Sequence, residues 1–118
     1  MLALRRWSEA HASLHESLTV AWDGMEMVAT LYALWNVAPV LARLRLGQLA
    51  AETMGAAEAH WRTRFGEPDP SDLRDMKRVR RFTRALLGAG TAQAAWRAGA
   101  ARSVGDSVQA VLSTPLSR

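Results

Sequence analysis

Apolar positions recur every three or four residues from the start of this 118-residue chain. Leu14, Leu18, Trp22, Met25, Val28, Tyr32 and Trp35 form one such seam, which is helical periodicity and not strand alternation. Helix formers (Ala, Leu, Arg, Glu, Met) dominate, and runs of β-branched residues are absent. The pattern predicts a first helix over about residues 7–37, with Trp22, Met25, Val28, Tyr32 and Trp35 as its core seam or as an apolar interface. Pro39 removes a backbone donor and disfavours helical geometry at Ala38, so a kink or a very short break is expected there. The helical pattern then resumes over about 40–65 through Leu41, Leu44, Gln48, Ala51 and Gly55.

The clearest boundary is Gly66-Glu67-Pro68-Asp69-Pro70-Ser71, where a helix stop, two prolines and the candidate caps Asp69 and Ser71 follow one another. A linker over 66–70 therefore precedes a helix at about 71–87, which ends near Gly88 and Gly90. Thr91 is placed to cap a last helix over about 91–112, terminated by Pro115. In that helix Ala92, Ala95, Gly99 and Ser103 make a small-residue surface against which bulky side chains can fit. The expectation is an all-α fold: a small bundle of three to four amphipathic helices in one domain, with a long kinked first helix or helix pair, then a basic helix and a small-residue-rich C-terminal helix.

Charge changes the picture at one place. Residues 1–73 carry six basic and nine acidic side chains, whereas residues 74–118 carry nine and two. Most of that surplus lies on the helix at 71–87. There Arg74, Lys77, Arg78, Arg81 and Arg84 fall within about a third of the helix circumference, opposite Met76, Val79, Phe82, Leu86 and Leu87. Arg80 lies beside the apolar side and has either to snorkel or to pair with an acid. The five-residue face suits phosphates, anionic lipid, an acidic partner or the acids of the protein's own first half. Fourteen of the fifteen basic residues are arginine, a bias that genome composition alone also produces.

Candidate chemistry is sparse. The absence of cysteine excludes disulfides, thiolate metal sites and thiol catalysis. His11 and His15 share a helix face at metal-ligand spacing, with His60, Glu9 or Glu16 as further donors, but neither His-Glu-x-x-His nor Glu-x-x-His is present. Ser13 and Ser17 lie near these histidines on a regular helix, with no strained turn and no oxyanion hole. The glycines at 88, 90, 99 and 105 follow no strand and make no phosphate loop. The expectation is a protein without enzymatic activity, cofactor, metal or small-molecule substrate.

The stretch 27–42 has no charged residue, but it is shorter than a membrane span and contains Thr30, Asn36 and Pro39. Burial in a bundle or an oligomer is the leading expectation, with membrane insertion, or docking of the apolar face on a lipid or hydrophobic surface with Arg43 and Arg45 at its charged boundary, as the alternatives. The five tryptophans (Trp7, Trp22, Trp35, Trp61, Trp96) raise the prospect of association, with Trp22 and Trp35 in the core and the other three partly exposed. The leading expectation is a helical interaction protein, self-associating or a small subunit or adaptor of a larger assembly. Being short, cysteine-free, alanine-rich and built of long amphipathic helices, the chain also resembles the phasins that coat bacterial polyester granules. That resemblance implies a peripheral protein on a lipid or hydrophobic surface. The tryptophan and arginine content departs from the phasin pattern, and no motif carries binding residues over. A third expectation is non-specific nucleic-acid binding through the basic helix. Arg5 and Arg6 are followed by Glu9, His11 and Glu16 instead of an apolar run, so a cytoplasmic location, or one peripheral to a membrane or granule, is expected over secretion.

Overall fold

The computed structural model describes residues 2–114, with side chains from residue 5, and contains only helices among them. They are α1 (Leu2–Asp23), α2 (Met27–Arg43), α3 (Gly47–Phe65), α4 (Pro70–Leu87), α5 (Ala89–Ala100) and α6 (Val104–Leu112). The all-α expectation holds, with six helices in place of three or four. α3 is the hub, packing on α2, α4, α5 and α6, while α1 lies against α2 and α6. The radius of gyration, 13.1 Å, is that of a tightly packed chain.

The first long helix is not continuous to residue 37, and the break is not at Pro39. The chain turns at residues 24–26 and again at 44–46, by the same device. Met25 has φ +57°; its N–H donates to the Trp22 carbonyl (3.0 Å), and the next N–H, of Glu26, reaches back to Ala21 (3.0 Å). Arg45 has φ +68°, donates to Ala42 (3.0 Å) and is followed by Leu46 donating to Leu41 (2.9 Å). Both are left-handed C-terminal caps that satisfy the last carbonyls of a helix. Leu46 then packs against the core, the apolar contact that commonly accompanies this cap.

α2 runs through Pro39. A proline inside a helix costs about 3 kcal/mol or more. Val37, Ala38, Val40 and Leu41 around it are all buried, and full burial of a single Val or Leu side chain offsets about 1.5–3 kcal/mol. Packing therefore outweighs the local preference.

The remaining boundaries follow local chemistry. Gly66 (φ +87°) ends α3, and Gly88 (φ +88°) both ends α4 and begins α5. Pro70 occupies the first turn of α4, where its missing N–H costs nothing. Asp69 stands at the N-cap position, but its side chain makes no capping bond there. Thr91 lies inside α5 and caps nothing, because Gly88 has taken that place. The expected single helix over 91–112 is interrupted at 101–103. There Ser103 Oγ accepts from the Asp106 N–H (3.0 Å) and starts α6. Pro115 lies outside the described residues.

The small-residue surface of α5 meets another helix backbone, not the bulky side chains expected. A Cβ on Gly99 would collide with the Glu52 carbonyl oxygen, and one on Gly55 with the Trp96 carbonyl oxygen. α3 and α5 thus touch backbone to backbone. The middle of α3 is buried on most sides, from Ala50 and Ala51 through Met54 to Ala57, as its position among four helices requires.

Candidate functional site: the basic ridge of α4 and its two flanking grooves

α4 is anchored by Met76 and Val79, both buried, with Leu73 and Phe82 half-buried against the same core. Its C-terminal Leu86 and Leu87 lie over Gly47 at the start of α3. This fixes the opposite side outward: Arg74, Lys77, Arg78, Arg81 and Arg84 are all exposed. Among the described residues, none of the five has a carboxylate within ion-pairing distance. The notion that they answer the protein's own acidic first half therefore fails for these five. Arg80 is the α4 cation that does so. Its Nη2 lies 3.6 Å from Glu58 Oε1, and its guanidinium sits 4.4 Å over the Trp96 ring.

Two grooves flank the ridge. One lies between α4 and the α3–α5 pair, with Arg80 and Arg84 on its wall and Glu58, Trp96 and Arg97 facing them. Trp96, expected to be partly exposed, is buried, and its indole N–H donates to Glu58 Oε1 (2.9 Å). Glu58 Oε2 accepts from Arg62 Nε (3.1 Å). The other groove lies on the α1–α2 side, lined by Trp7, Arg43, Arg78 and Phe82. Arg43 sits over both aromatic rings, 5.8 Å from Trp7 and 4.8 Å from Phe82.

The seam residues are divided by the turn at 24–26. Trp35 is buried, and Trp22 is half-buried against Gly105 of α6. Met25 is 89% exposed and Val28 46% exposed, because the left-handed turn swings them off the core side. Tyr32, one turn after Val28, packs against Trp61 with ring centroids 4.9 Å apart and planes tilted by 60°, and Trp61 packs likewise against Phe65 at 4.7 Å and 49°. Phe65 is itself 46% exposed. A partly exposed apolar strip thus joins α2 to the end of α3. Asp72 lies near Tyr32 and has its pKa raised, first by desolvation and then by Asp69 and Asp75. Burial and the charges of Asp72 and Asp69 likewise raise the Tyr32 hydroxyl.

The histidines do not assemble into a metal site. The His11 and His15 rings lie with centroids 6.0 Å apart, tilted by 45°, but His15 Nε2 is bonded to the Leu112 carbonyl (3.2 Å). His11 is buried with neither ring nitrogen partnered among the described residues. Burial lowers its pKa first, and the charge of His15 lowers it further. His60 is engaged by the Arg102 carbonyl (2.7 Å) and by Arg64 Nη1 (3.0 Å). No group of three potential metal ligands occurs among the described residues. Nor is any described helix long and apolar enough to cross a membrane.

The sequence pattern singled out Trp61 and Trp96 as tryptophans but not their partners, and it missed Glu58, Arg97 and Phe65. The i, i+4 spacings Glu58–Arg62 and Trp61–Phe65 hinted at Glu58 and Phe65, and nothing hinted at Arg97. Comparison of the chain with protein-family models, with curated proteins and with solved structures finds no match in any of the three.

Proposed function

We propose that this is a non-enzymatic helical interaction protein that associates through the outer face of α4, with a second copy of itself as the first partner to test. The observation that carries the proposal is the state of α4. Its apolar face is consumed by the fold, while its five outer cations are exposed and unpaired among the described residues. Such a face attracts an acidic surface and steers its approach.

The chain itself carries a complement. It is not the acidic start of α4, because Asp72 lies against Tyr32 of α2 and Asp75 lines the groove on the α1–α2 side. It is the set of exposed acids on and just after α1, at Glu16, Asp23 and Glu26. Two copies placed with the α4 ridge of each against α1 of the other have the self-complementarity a two-fold interface needs.

Light scattering after size exclusion tests this reading. A dimer at low salt that weakens at high salt, and is lost in Arg78→Glu/Arg81→Glu, supports it. A monomer at every salt and protein concentration overturns self-association and leaves an acidic protein of another kind as the partner. A second reading, non-specific nucleic-acid binding, is favoured by Arg43, Trp7 and Phe82 lying beside Arg78, since aromatic rings and cations together suit single strands. It predicts an affinity that falls steeply with salt. A granule-coating role has less support, because the apolar faces of the helices are largely turned into the bundle.

A further inference from the structure

The groove between α3, α4 and α5 holds a cavity of about 360 Å³, within the range of small-molecule sites. Its existence follows from the close approach of α3 and α5. Gly55, Ala59 and Ala92 line it with little side chain, so a hollow remains beneath the longer residues of α4. The floor is apolar, and the rim is cationic.

The charges around it are unbalanced. Arg80, Arg84 and Arg97 line the cavity, and Glu58 is its only carboxylate among the described residues. Both oxygens of Glu58 are already committed. Oε1 accepts from the Trp96 indole at 2.9 Å and lies 3.6 Å from Arg80, and Oε2 accepts from Arg62 at 3.1 Å. Arg80 is held twice, by Glu58 and by the Trp96 ring. Arg84 and Arg97 are exposed and meet no carboxylate among the described residues. A preorganised cation, two spare guanidiniums and an apolar floor are the parts of a site for an amphipathic anion. The groove on the other side of α4 is smaller, about 180 Å³, and Arg43 already stacks on its two aromatic rings.

We propose that this cavity binds a small organic oxyanion, a carboxylate or phosphate monoester on a compact apolar body. Arg84 and Arg97 take the oxygens in paired hydrogen bonds, the recognition for which the guanidinium fork is suited. The body rests on Ala59, Ala92 and Trp96. Arg80, tethered to Glu58, adds charge at the head group without having to be ordered. The site binds and carries out no chemistry.

The indole N–H of Trp96 reports on occupancy, because it ends at Glu58 beside the cavity. In ¹H–¹⁵N spectra of the full chain, with that resonance assigned by Trp96→Phe, titrations with phenyl phosphate, benzoate, inorganic phosphate and benzyl alcohol separate the contributions. The expected result is a saturable shift with phenyl phosphate or benzoate, and none with benzyl alcohol. Inorganic phosphate should bind at least about tenfold more weakly, for want of an apolar body. Whichever aromatic anion binds more tightly identifies the head group, and either supports the site. Arg84→Gln and Arg97→Gln should each weaken binding about tenfold, the loss of one charge-assisted bond. Arg6→Gln, on α1 away from the cavity, should leave it unchanged. No saturable shift with either aromatic anion overturns the proposal. So does equal affinity for inorganic phosphate, or unchanged affinity in Arg84→Gln/Arg97→Gln once thermal unfolding shows that variant folded. The association test relies on Arg78 and Arg81, which lie outside the cavity, so the two proposals fail separately.

Discussion

Between α3 and α5 the chain presents glycine and alanine, and two helix backbones touch at Gly55 and Gly99. On the outer face of α4 it presents four arginines and a lysine, and no ion pair holds them among the described residues. The first region is determined by what is missing from the side chains, and a single methyl decides it. The second is determined by what the fold leaves over, and its charges are bound to the helix but not to each other. Packing without slack and charge without partners are separate properties, carried here by adjacent helices.

The sharpest way to break the contrast is Gly99→Ala. The new Cβ meets backbone, which has no rotamer to yield, so the loss should exceed the about 1–3 kcal/mol typical of overpacking. The helix-propensity gain of about 1 kcal/mol does not recover it. Urea unfolding measures the difference, and a variant as stable as the parent would refute the backbone contact. Next comes Glu58→Ala, which strands the Trp96 indole and releases Arg80 and Arg62 from their shared carboxylate. A loss of about 1–3 kcal/mol is expected from the orphaned donor. Trp96→Phe in the same background should cost less than Trp96→Phe alone, as a double-mutant cycle reads it.

An acid-sensitive element sits between these extremes. The pKa of His11 is lowered in the fold by burial and by His15. As pH falls through the ordinary histidine value near 6.5, the unfolded chain takes up a proton that the folded chain resists, so stability falls. His11→Leu should flatten the unfolding midpoint over that window relative to the parent. Parallel curves would assign the acid sensitivity elsewhere.

How much of this was legible from the residues depends on which physical signal carried each part. Helix content and the inner and outer faces of α4 were readable, because 3.6-residue periodicity places Met76 and Val79 opposite Arg74 and Arg78 whatever the tertiary context. The breaks in the first half were not. The left-handed positions that end α1 and α2 are Met25 and Arg45, where glycine is the usual sign, and Pro39 advertises a break that the surrounding packing overrides. The start of α6 was written in Ser103-Val104-Gly105-Asp106, a cap masked by the continuing run of small residues. The cavity beside Trp96 was illegible for another reason. Its walls come from residues near 58, 80–84 and 97, and only tertiary packing of three helices brings them together.

Two smaller effects complete the comparison. Arg45→Gly should stabilise the protein by about 1 kcal/mol, since glycine adopts positive φ without the side-chain clash that arginine bears there. Thermal unfolding checks the sign, and a destabilised variant would mean Arg45 makes contacts that outweigh its backbone. Arg78→Glu/Arg81→Glu should alter stability least, within about 0.5 kcal/mol, as exposed unpaired charges do. A larger loss would mean that the ridge is tied into the fold after all.

The meeting of Gly55 with Trp96 and of Gly99 with Glu52 also bears on how the chain reaches this arrangement. A helix slid by one turn moves about 5.4 Å along its partner. Such a slide would present Ala51 or Ala59 in place of Gly55, and Ala95 in place of Gly99. Each of these carries the Cβ that the close approach forbids. α5 can therefore seat on α3 in one register, and a misplaced docking is held apart at the crossing. Such a near-miss forgoes the backbone contact of the native docking, so the two glycines act as a key that admits a single alignment.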